Sequence, residues 1–216
     1  MKAIDHTFAD IELPKPSPAG RDLLVKVEAI SVNPVDYKQR KTATSSKVLG
    51  WDAAGTVEAV GKDVTLFKRG DAVYYAGDVT RPGANSEFHL VDERIVGRKP
   101  KKLDFAQAAA MPLTSITAWE AFYDRMHVVP GKSVLIIGGA GGVGSIGIQL
   151  AKSSNLKVIA TASRPETIAW CKSLGADHVV DHRRELRPQL EALGMKQVDY
   201  IANFSGELDA YWSAMA

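Results

Sequence analysis

At 216 residues, with 45% hydrophobic and 24% charged side chains and a formal net charge of +2, the sequence is long enough for one large core or two modest ones, and too mildly charged for nucleic acid or an anionic membrane surface to be its partner. Its one cysteine, Cys171, excludes an intrachain disulfide and a cysteine-built zinc cluster and points to a reducing, cytoplasmic setting. No apolar run approaches the roughly 18 residues of a membrane span, and Met1 opens no charged-then-apolar leader.

Early in the chain, "DLLVKVEAISV", "AAGTVEAVG", "GDAVYYAGD" and "EFHLVDERIVGRK" are short runs rich in Val, Ile and Tyr. They are parted by Gly, Pro and Asp and predict a mostly β region. The basic run Arg98-Lys99-Pro100-Lys101-Lys102 is interrupted by proline and predicts a solvated connection. From Asp104, an N-cap candidate, alanines and aromatics recur at helical spacing as far as Met126, with a break at Pro112. "KSVLIIGG" is an apolar run without alternation, which suits a strand buried on both faces of a parallel sheet. A helix over "SIGIQLAKSS", a strand at "KVIATA", a helix over "PETIAWCKSLG" closing at Gly175, a strand at "HVVDH" and a fourth at Tyr200 to Asn203 complete a doubly wound parallel α/β plan. Two mononucleotide halves would need six strands. Four are present, so the sequence reads as a piece of a longer chain, the alternative being a reduced domain.

Between the first of these strands and its helix lies "GGAGGVG", Gly138 to Gly144, with GxGxxG at Gly139, Gly141 and Gly144 and with Gly142 and Val143 inside it. Such glycines permit a tight turn, let backbone N–H groups approach a pyrophosphate with no Cβ in the way, and bring helix and sheet close. The helix N-terminus adds partial positive charge. In a strand-turn-helix-strand setting the motif favours a dinucleotide, the alternatives being a structural glycine turn or another phosphate ligand. "PGKS", Pro130 to Ser133, fails as a P-loop, because Met126 stands where its first glycine belongs and the stretch precedes a strand. The second strand runs out as Ala162-Ser163-Arg164, with no acid before Glu166 to hold a ribose 2′-OH. An arginine there suits a 2′-phosphate and predicts NADP(H), the alternative being that Arg164 is an ordinary solvated loop residue.

The stretches "SVNPVDYKQR", "VLGWDAAGTVEAVG", "FKRGDAVYYAGDVTRPGANSEFHLVDE", "AAAMPLTSITAWEAF", "IIGGAGGVGSIGIQLAK" and "SLGADHVVDH" cover nearly the whole chain. Together they resemble the medium-chain dehydrogenase/reductase superfamily, specifically its quinone oxidoreductase branch and the group called zinc-type alcohol dehydrogenase-like proteins. The resemblance implies a chaperonin-10-like (GroES-like) β domain at 1–110 and a Rossmann domain at 111–216, incomplete at its C-terminal end, with the active site in the cleft between them. It also implies a longer strand-turn segment than the one between "MKAI" and "IELPKP", further strands after the last one, and a homodimer built on an edge among those strands.

Zinc-using members of the superfamily take Cys and His ligands from the first domain. Asn33 stands where the first cysteine would be, and Trp51 replaces the histidine in "GWDAAG". An amide is a poor zinc ligand and an indole is none. His178 and His182, four apart on the predicted strand, would lie about 13 Å from each other at ~3.3 Å per residue, too far to share a metal. No metal is expected. The resemblance places His182 where relatives carry a tyrosine beside the adenosine phosphate, the alternative being an ordinary exposed histidine. His6, His89 and His127 carry no motif.

What the resemblance then implies is hydride transfer from NADPH to a small-molecule quinone or α,β-unsaturated carbonyl, whose growing oxygen charge is met by hydrogen-bond donors in place of a metal. The expected donors are Asn33, Tyr37 and Lys38; relatives carry a tyrosine at the position of Lys38. Thr114 and Thr117 are expected at the nicotinamide and its ribose, and Asn203, Phe204 and Ser205 at the carboxyl end of the fourth strand, where open α/β sheets bind ligands. Trp51, Tyr74 and Tyr75 are candidates for stacking on a flat acceptor, although aromatics in a β domain also serve as core. Cys171 is expected to be a packing residue. The competing functions are a zinc-type alcohol dehydrogenase and an NADPH-binding protein without catalysis.

Overall fold

The computed structural model describes residues 2–4, 7–42 and 47–205; His6 and the residues after Ser205 lie outside the described residues. The chain divides into two compact units, Met1–Leu113 and Thr114–Ala216.

In the first unit β1 (Lys2–Ile4), β2 (Thr7–Ala9), β3 (Asp22–Ser31), α1 (Pro34–Thr42), β4 (Lys47–Val48), β5 (Asp52–Val60), β6 (Ala72–Ala76), β7 (Phe88–Asp92) and β8 (Gly97–Arg98) follow in order. Five of the strands form an antiparallel sheet in the order β7-β3-β5-β6-β8, and a smaller sheet runs β2-β1-β4. Period-two alternation puts Val73 and Tyr75 of β6 inside with Leu23, Val25, Ala53, Val57 and Val91, while the opening of β5 is buried on both faces. The predicted run "EFHLVDERIVGRK" is broken by a 3₁₀ turn, Glu93–Ile95. The cause is Glu93: its carboxylate is buried and accepts from Arg21 Nη1 at 2.7 Å, Thr65 N–H at 2.9 Å and Leu66 N–H at 2.7 Å, and Asp92 caps the turn by accepting from Arg94 N–H.

His89, on β7, is also buried. Its Nε2 lies 3.0 Å from the Pro82 carbonyl, which can only accept, so the proton sits on Nε2 and Nδ1 accepts from Tyr75 Oη at 3.0 Å. Burial pushes the imidazole down to about 4, so the ring is neutral.

Asp104 caps α2 (Phe105–Ala109) as expected, its carboxylate accepting from Gln107 N–H at 2.7 Å. A second helix, α3 (Pro112–Trp119), starts with proline at its first position. It widens into a π turn, Glu120–Arg125, where Met126 N–H donates to Ala121 O.

The second unit alternates β9 (Ser133–Ile137), α4 (Gly142–Ser153), β10 (Lys157–Thr161), α5 (Pro165–Ser173), β11 (His178–Val180), α6 (Leu186–Ala192) and β12 (Tyr200–Asn203). The sheet is parallel with strand order β11-β10-β9-β12, so it turns outward on both sides of β9. The central residues of β9 and β10, Val134–Ile137 and Val158–Ala160, are apolar because both faces are covered. Val134, Ile136, Val158 and Ala160 meet Phe122, Ile148, Ala151 and Cys171, whereas Leu135, Ile137 and Ile159 meet Leu186 and Leu190. The second contact belongs to α6, which the composition did not suggest because Pro188 lies in it; at the third helical position proline costs no internal bond. β11 stops at Val180, leaving His182 exposed beyond the strand on which it was expected.

Ile136 is fully buried at the centre of this sheet. Ile136→Ala is expected to cost about 2–5 kcal/mol, read as a lower urea midpoint for the second unit with the first unit's transition unmoved.

Candidate functional site

The turn from β9 to α4 is shaped by contacts that only glycine allows. Gly138 has φ +77°, and a Cβ on Gly144 would lie 2.2 Å from the Gly138 carbonyl oxygen and 2.8 Å from Gly139 Cα. The first turn of α4 is thereby drawn against the end of β9. Gly141 is its extended N-cap and no side chain caps the helix, so the first-turn N–H groups of Gly142, Val143 and Gly144 face outward as an anion cradle. Gly138 N–H donates to Thr161 Oγ1 at 3.0 Å and Gly139 N–H to Thr161 O at 3.2 Å, which ties the turn to β10. Thr114 borders the same turn, since a Cβ on Gly142 would come within 3.1 Å of its Cγ2, and Thr117 is exposed on α3. The turn fits a dinucleotide pyrophosphate.

At the carboxyl end of β10, Arg164 is 69% exposed and pairs with Glu166 at 3.1 Å. Sequence reasoning passed over a second guanidinium. Arg183 Nη2 donates to the Ser163 carbonyl at 3.0 Å while Asp181 holds the same side chain at 2.8 Å. Its signal was the "HRR" run beginning at His182. Beyond β12, Asn203 Oδ1 accepts from both the N–H and the hydroxyl of Ser205, each at 2.9 Å. The Phe204 ring packs edge-on to Phe122 with centroids 6.3 Å apart.

In the first unit, "SVNPVDYKQR" opens α1. Asn33 N–H donates to Asp36 Oδ2 at 2.6 Å, which closes the first turn and explains a helix that periodicity did not predict. Asn33 itself is buried, and its Nδ2 donates to Asp52 Oδ2 at 2.8 Å. The other Asp52 oxygen accepts from Leu113 N–H at 2.9 Å. Burial pushes Asp52 up to about 6 against these lowering hydrogen bonds, with the Asp36 carboxylate adding to the rise; burial also raises Asp36. Both acids were missed by sequence reasoning, although Asp52 follows Trp51 directly. Tyr37 and Lys38 are exposed on α1.

The stacking role expected of Trp51 and Tyr75 is corrected. Both rings are buried within the first unit: Trp51 packs with Leu49, Val35 and Leu113 and donates from Nε1 to the Asp78 carbonyl, and Tyr75 lies in the sheet core against His89. Tyr74 points the other way, packed on Ala54, Ala108 and Ala109 and over Gly97. Nor do the residues at the expected zinc positions fit that metal: one is an amide bonded to a carboxylate, the other an indole bonded to a carbonyl. Among the described residues no three His, Cys, Asp or Glu cluster as ligands, and no helix is long and apolar enough to cross a membrane.

Two family models match the chain: the alcohol dehydrogenase GroES-like domain over residues 19–103 and the zinc-binding dehydrogenase over 142–216. A zinc-type alcohol dehydrogenase-like protein of Staphylococcus aureus is 49% identical over 97% of this chain and 65% of its own length. A 2-methylene-furan-3-one reductase of Solanum lycopersicum is 43% identical over 76% of this chain and 45% of its own. Among solved structures, an NAD-dependent alcohol dehydrogenase superposes with a TM-score of 0.88 at 31% identity, covering 95% of this chain and 70% of that one. The Escherichia coli quinone oxidoreductase complexed with NADPH gives 0.82 at 28%, covering 94% and 64%. The chain thus spans a little under two thirds of the Staphylococcus relative's length.

Asp52 and His89 titrate over nearly the same range with opposite consequences. Native Asp52 keeps a proton between 3.8 and about 6 that the unfolded chain releases, so its contribution to stability is present at low pH and lost as pH rises through about 6. Native His89 stays neutral between about 4 and 6.5, where the unfolded chain is protonated, so its contribution is present above 6.5 and lost as pH falls through about 4. Each is worth on the order of 3 kcal/mol, and they offset. Asp52→Asn is expected to leave stability rising with pH over this interval and His89→Gln to leave it falling, both read by urea unfolding across a pH series. A wild-type slope as steep as either variant's would show the offset to be absent.

Proposed function

We propose that this chain, which belongs to the medium-chain dehydrogenase/reductase superfamily, serves an NADP(H)-dependent oxidoreductase that reduces a quinone or an α,β-unsaturated carbonyl without zinc. The observation that carries the reading is the uncapped N-terminus of α4 behind a turn that admits no Cβ at Gly144. There Gly139, Gly141, Gly142, Val143 and Gly144 bind the pyrophosphate, and Thr114 and Thr117 hold the nicotinamide end. Ser163, Arg164 and His182 face the 2′-phosphate, with Asn203, Phe204 and Ser205 at the carboxyl end of β12. Bound NADPH supplies two electrons and one hydrogen to the acceptor.

For a conjugated acceptor, the charge that grows on oxygen needs a hydrogen-bond donor more than a Lewis acid. The α1 segment supplies the donors, Tyr37 and Lys38 at the surface and Asn33 beneath them. Support for the cofactor comes from the NADPH complex of the E. coli quinone oxidoreductase, and for the acceptor class from that protein and the tomato reductase. The amide at Asn33 and the indole at Trp51 support a reaction without zinc, despite the zinc in the names of several relatives.

The test is fluorescence titration of the whole protein with NADPH and NADH, followed by cofactor oxidation against a panel of quinones and enones. Tighter NADPH binding with acceptor-dependent oxidation is expected. Binding without oxidation would favour a non-catalytic role, and an activity that tracks stoichiometric metal would favour the zinc dehydrogenase. Arg164→Ala is expected to weaken NADPH binding about tenfold and leave NADH unchanged, in line with a charge-assisted phosphate contact that only NADPH makes.

A further inference from the structure

Two guanidiniums stand at the carboxyl end of β10, and they are held differently. Arg164 reaches Glu166 through Nε alone, and both side chains are exposed. Arg183 is fixed along a whole edge. Its Nε donates to Asp181 Oδ1 at 3.0 Å and its Nη2 to Asp181 Oδ2 at 2.8 Å, while Nη2 also donates to the Ser163 carbonyl at 3.0 Å. Asp181 is anchored in turn, because its N–H donates to Gln189 Oε1 at 2.9 Å and its carbonyl accepts from Gln189 Nε2 at 3.0 Å. Hydrogen bonds from the Arg183 side chain and backbone hold the Asp181 carboxyl down to about 2, so the anchor stays ionised near neutral pH. The Nη1 amino group of Arg183 meets no acceptor among the described residues. The planar fork sets one Nη1 N–H parallel to the Nη2 N–H that holds Ser163, so an oxygen accepted by Nη1 lies beside the Ser163 carbonyl. Ser163 directly precedes Arg164, at the distance beyond the glycine turn where a dinucleotide presents its ribose 2′ position. We infer that Arg183 is a specificity-determining residue of the nucleotide site: Nη1 donates to the 2′-phosphate of NADP(H), and Asp181 and Ser163 hold the guanidinium ready for it.

This inference rests on the cofactor reading proposed above and deepens it. To bind a phosphate, Arg164 must leave an exposed carboxylate and order its own side chain, and both changes weaken the contact. Arg183 is already ordered and keeps its partners when Nη1 is occupied. Asp181 sits across the guanidinium from Nη1, so a phosphate there lies nearer to the positive charge than to the negative one. NAD(H) offers a hydroxyl at the same position. A neutral oxygen gains less from Nη1 than an ionised phosphate does, which makes this contact a discriminator between the two cofactors.

Calorimetric titration of the whole protein with adenosine 2′,5′-bisphosphate and adenosine 5′-monophosphate isolates the 2′-phosphate from the nicotinamide and from the acceptor. Arg183→Ala is expected to weaken the bisphosphate between about 10- and 100-fold and to leave the monophosphate within about twofold of wild type. Arg183→Lys is expected to recover little, since one ammonium cannot hold carboxylate, carbonyl and phosphate together. Arg184→Ala removes the same charge from an exposed position one residue along and is expected to change neither affinity. Unchanged bisphosphate affinity in Arg183→Ala, with the wild-type preference for the bisphosphate intact, overturns the role of Arg183 alone. An equal loss for both nucleotides also overturns it, by making Arg183 a support of the turn. Full recovery by Arg183→Lys, or the same loss in Arg184→Ala, overturns it by showing that bare charge suffices. A wild type that binds the two nucleotides equally overturns the NADP(H) reading and this inference with it.

Discussion

The carbonyl oxygen of Gly138 leaves no room for a side chain on Gly144, and the nucleotide-binding unit is organised by that contact. It sets the start of α4 directly on the end of β9. From there the helix runs back along the sheet with Ile148 and Ala151 pressed on the strands. The same contact leaves the first-turn N–H groups without an internal acceptor, because a helix that begins this tightly after a strand has no preceding residue able to cap it. The close packing of α4 on β9 and the uncapped first turn of the helix therefore occur together.

The first unit solves a different problem. It buries Asp52, Glu93 and His89, and each is satisfied in its own way. Glu93 stays charged in character by collecting an arginine and two backbone N–H groups. His89 avoids charge by donating to a carbonyl and accepting from a phenol. Asp52 sits between, held by an amide and a backbone N–H but with a second carboxylate, Asp36, close by. Since Asp52 also anchors Leu113 at the start of α3, the segment carrying the proposed donors and the last turn of this unit are tied to one side chain.

Much of this was legible in the sequence, for identifiable reasons. Apart from β4, the strands from Asp22 to Asn203 declared themselves through runs rich in Val, Ile and Tyr or Leu, and the glycine turn through its place between a strand and a helix. Helix α1 did not, because its nine residues are mostly polar and its start depends on Asn33 and Asp36 meeting in space. The burial of Tyr75 has a simpler reason. Tyr74 and Tyr75 differ by one position and so point to opposite faces of β6, and Tyr75 shares the core face with Val73.

Cys171 lies beneath the glycine turn: a Cβ on Gly139 would come within 3.2 Å of its Sγ. It is fully buried, and burial pushes its thiol up, so in the folded unit it is inert. Because it is the chain's one cysteine, a thiol reagent has a single target, reached only when the second unit opens. Its rate of alkylation is therefore a clock for that opening, and any ligand that seats on the turn slows the clock by the factor by which it stabilises the closed form.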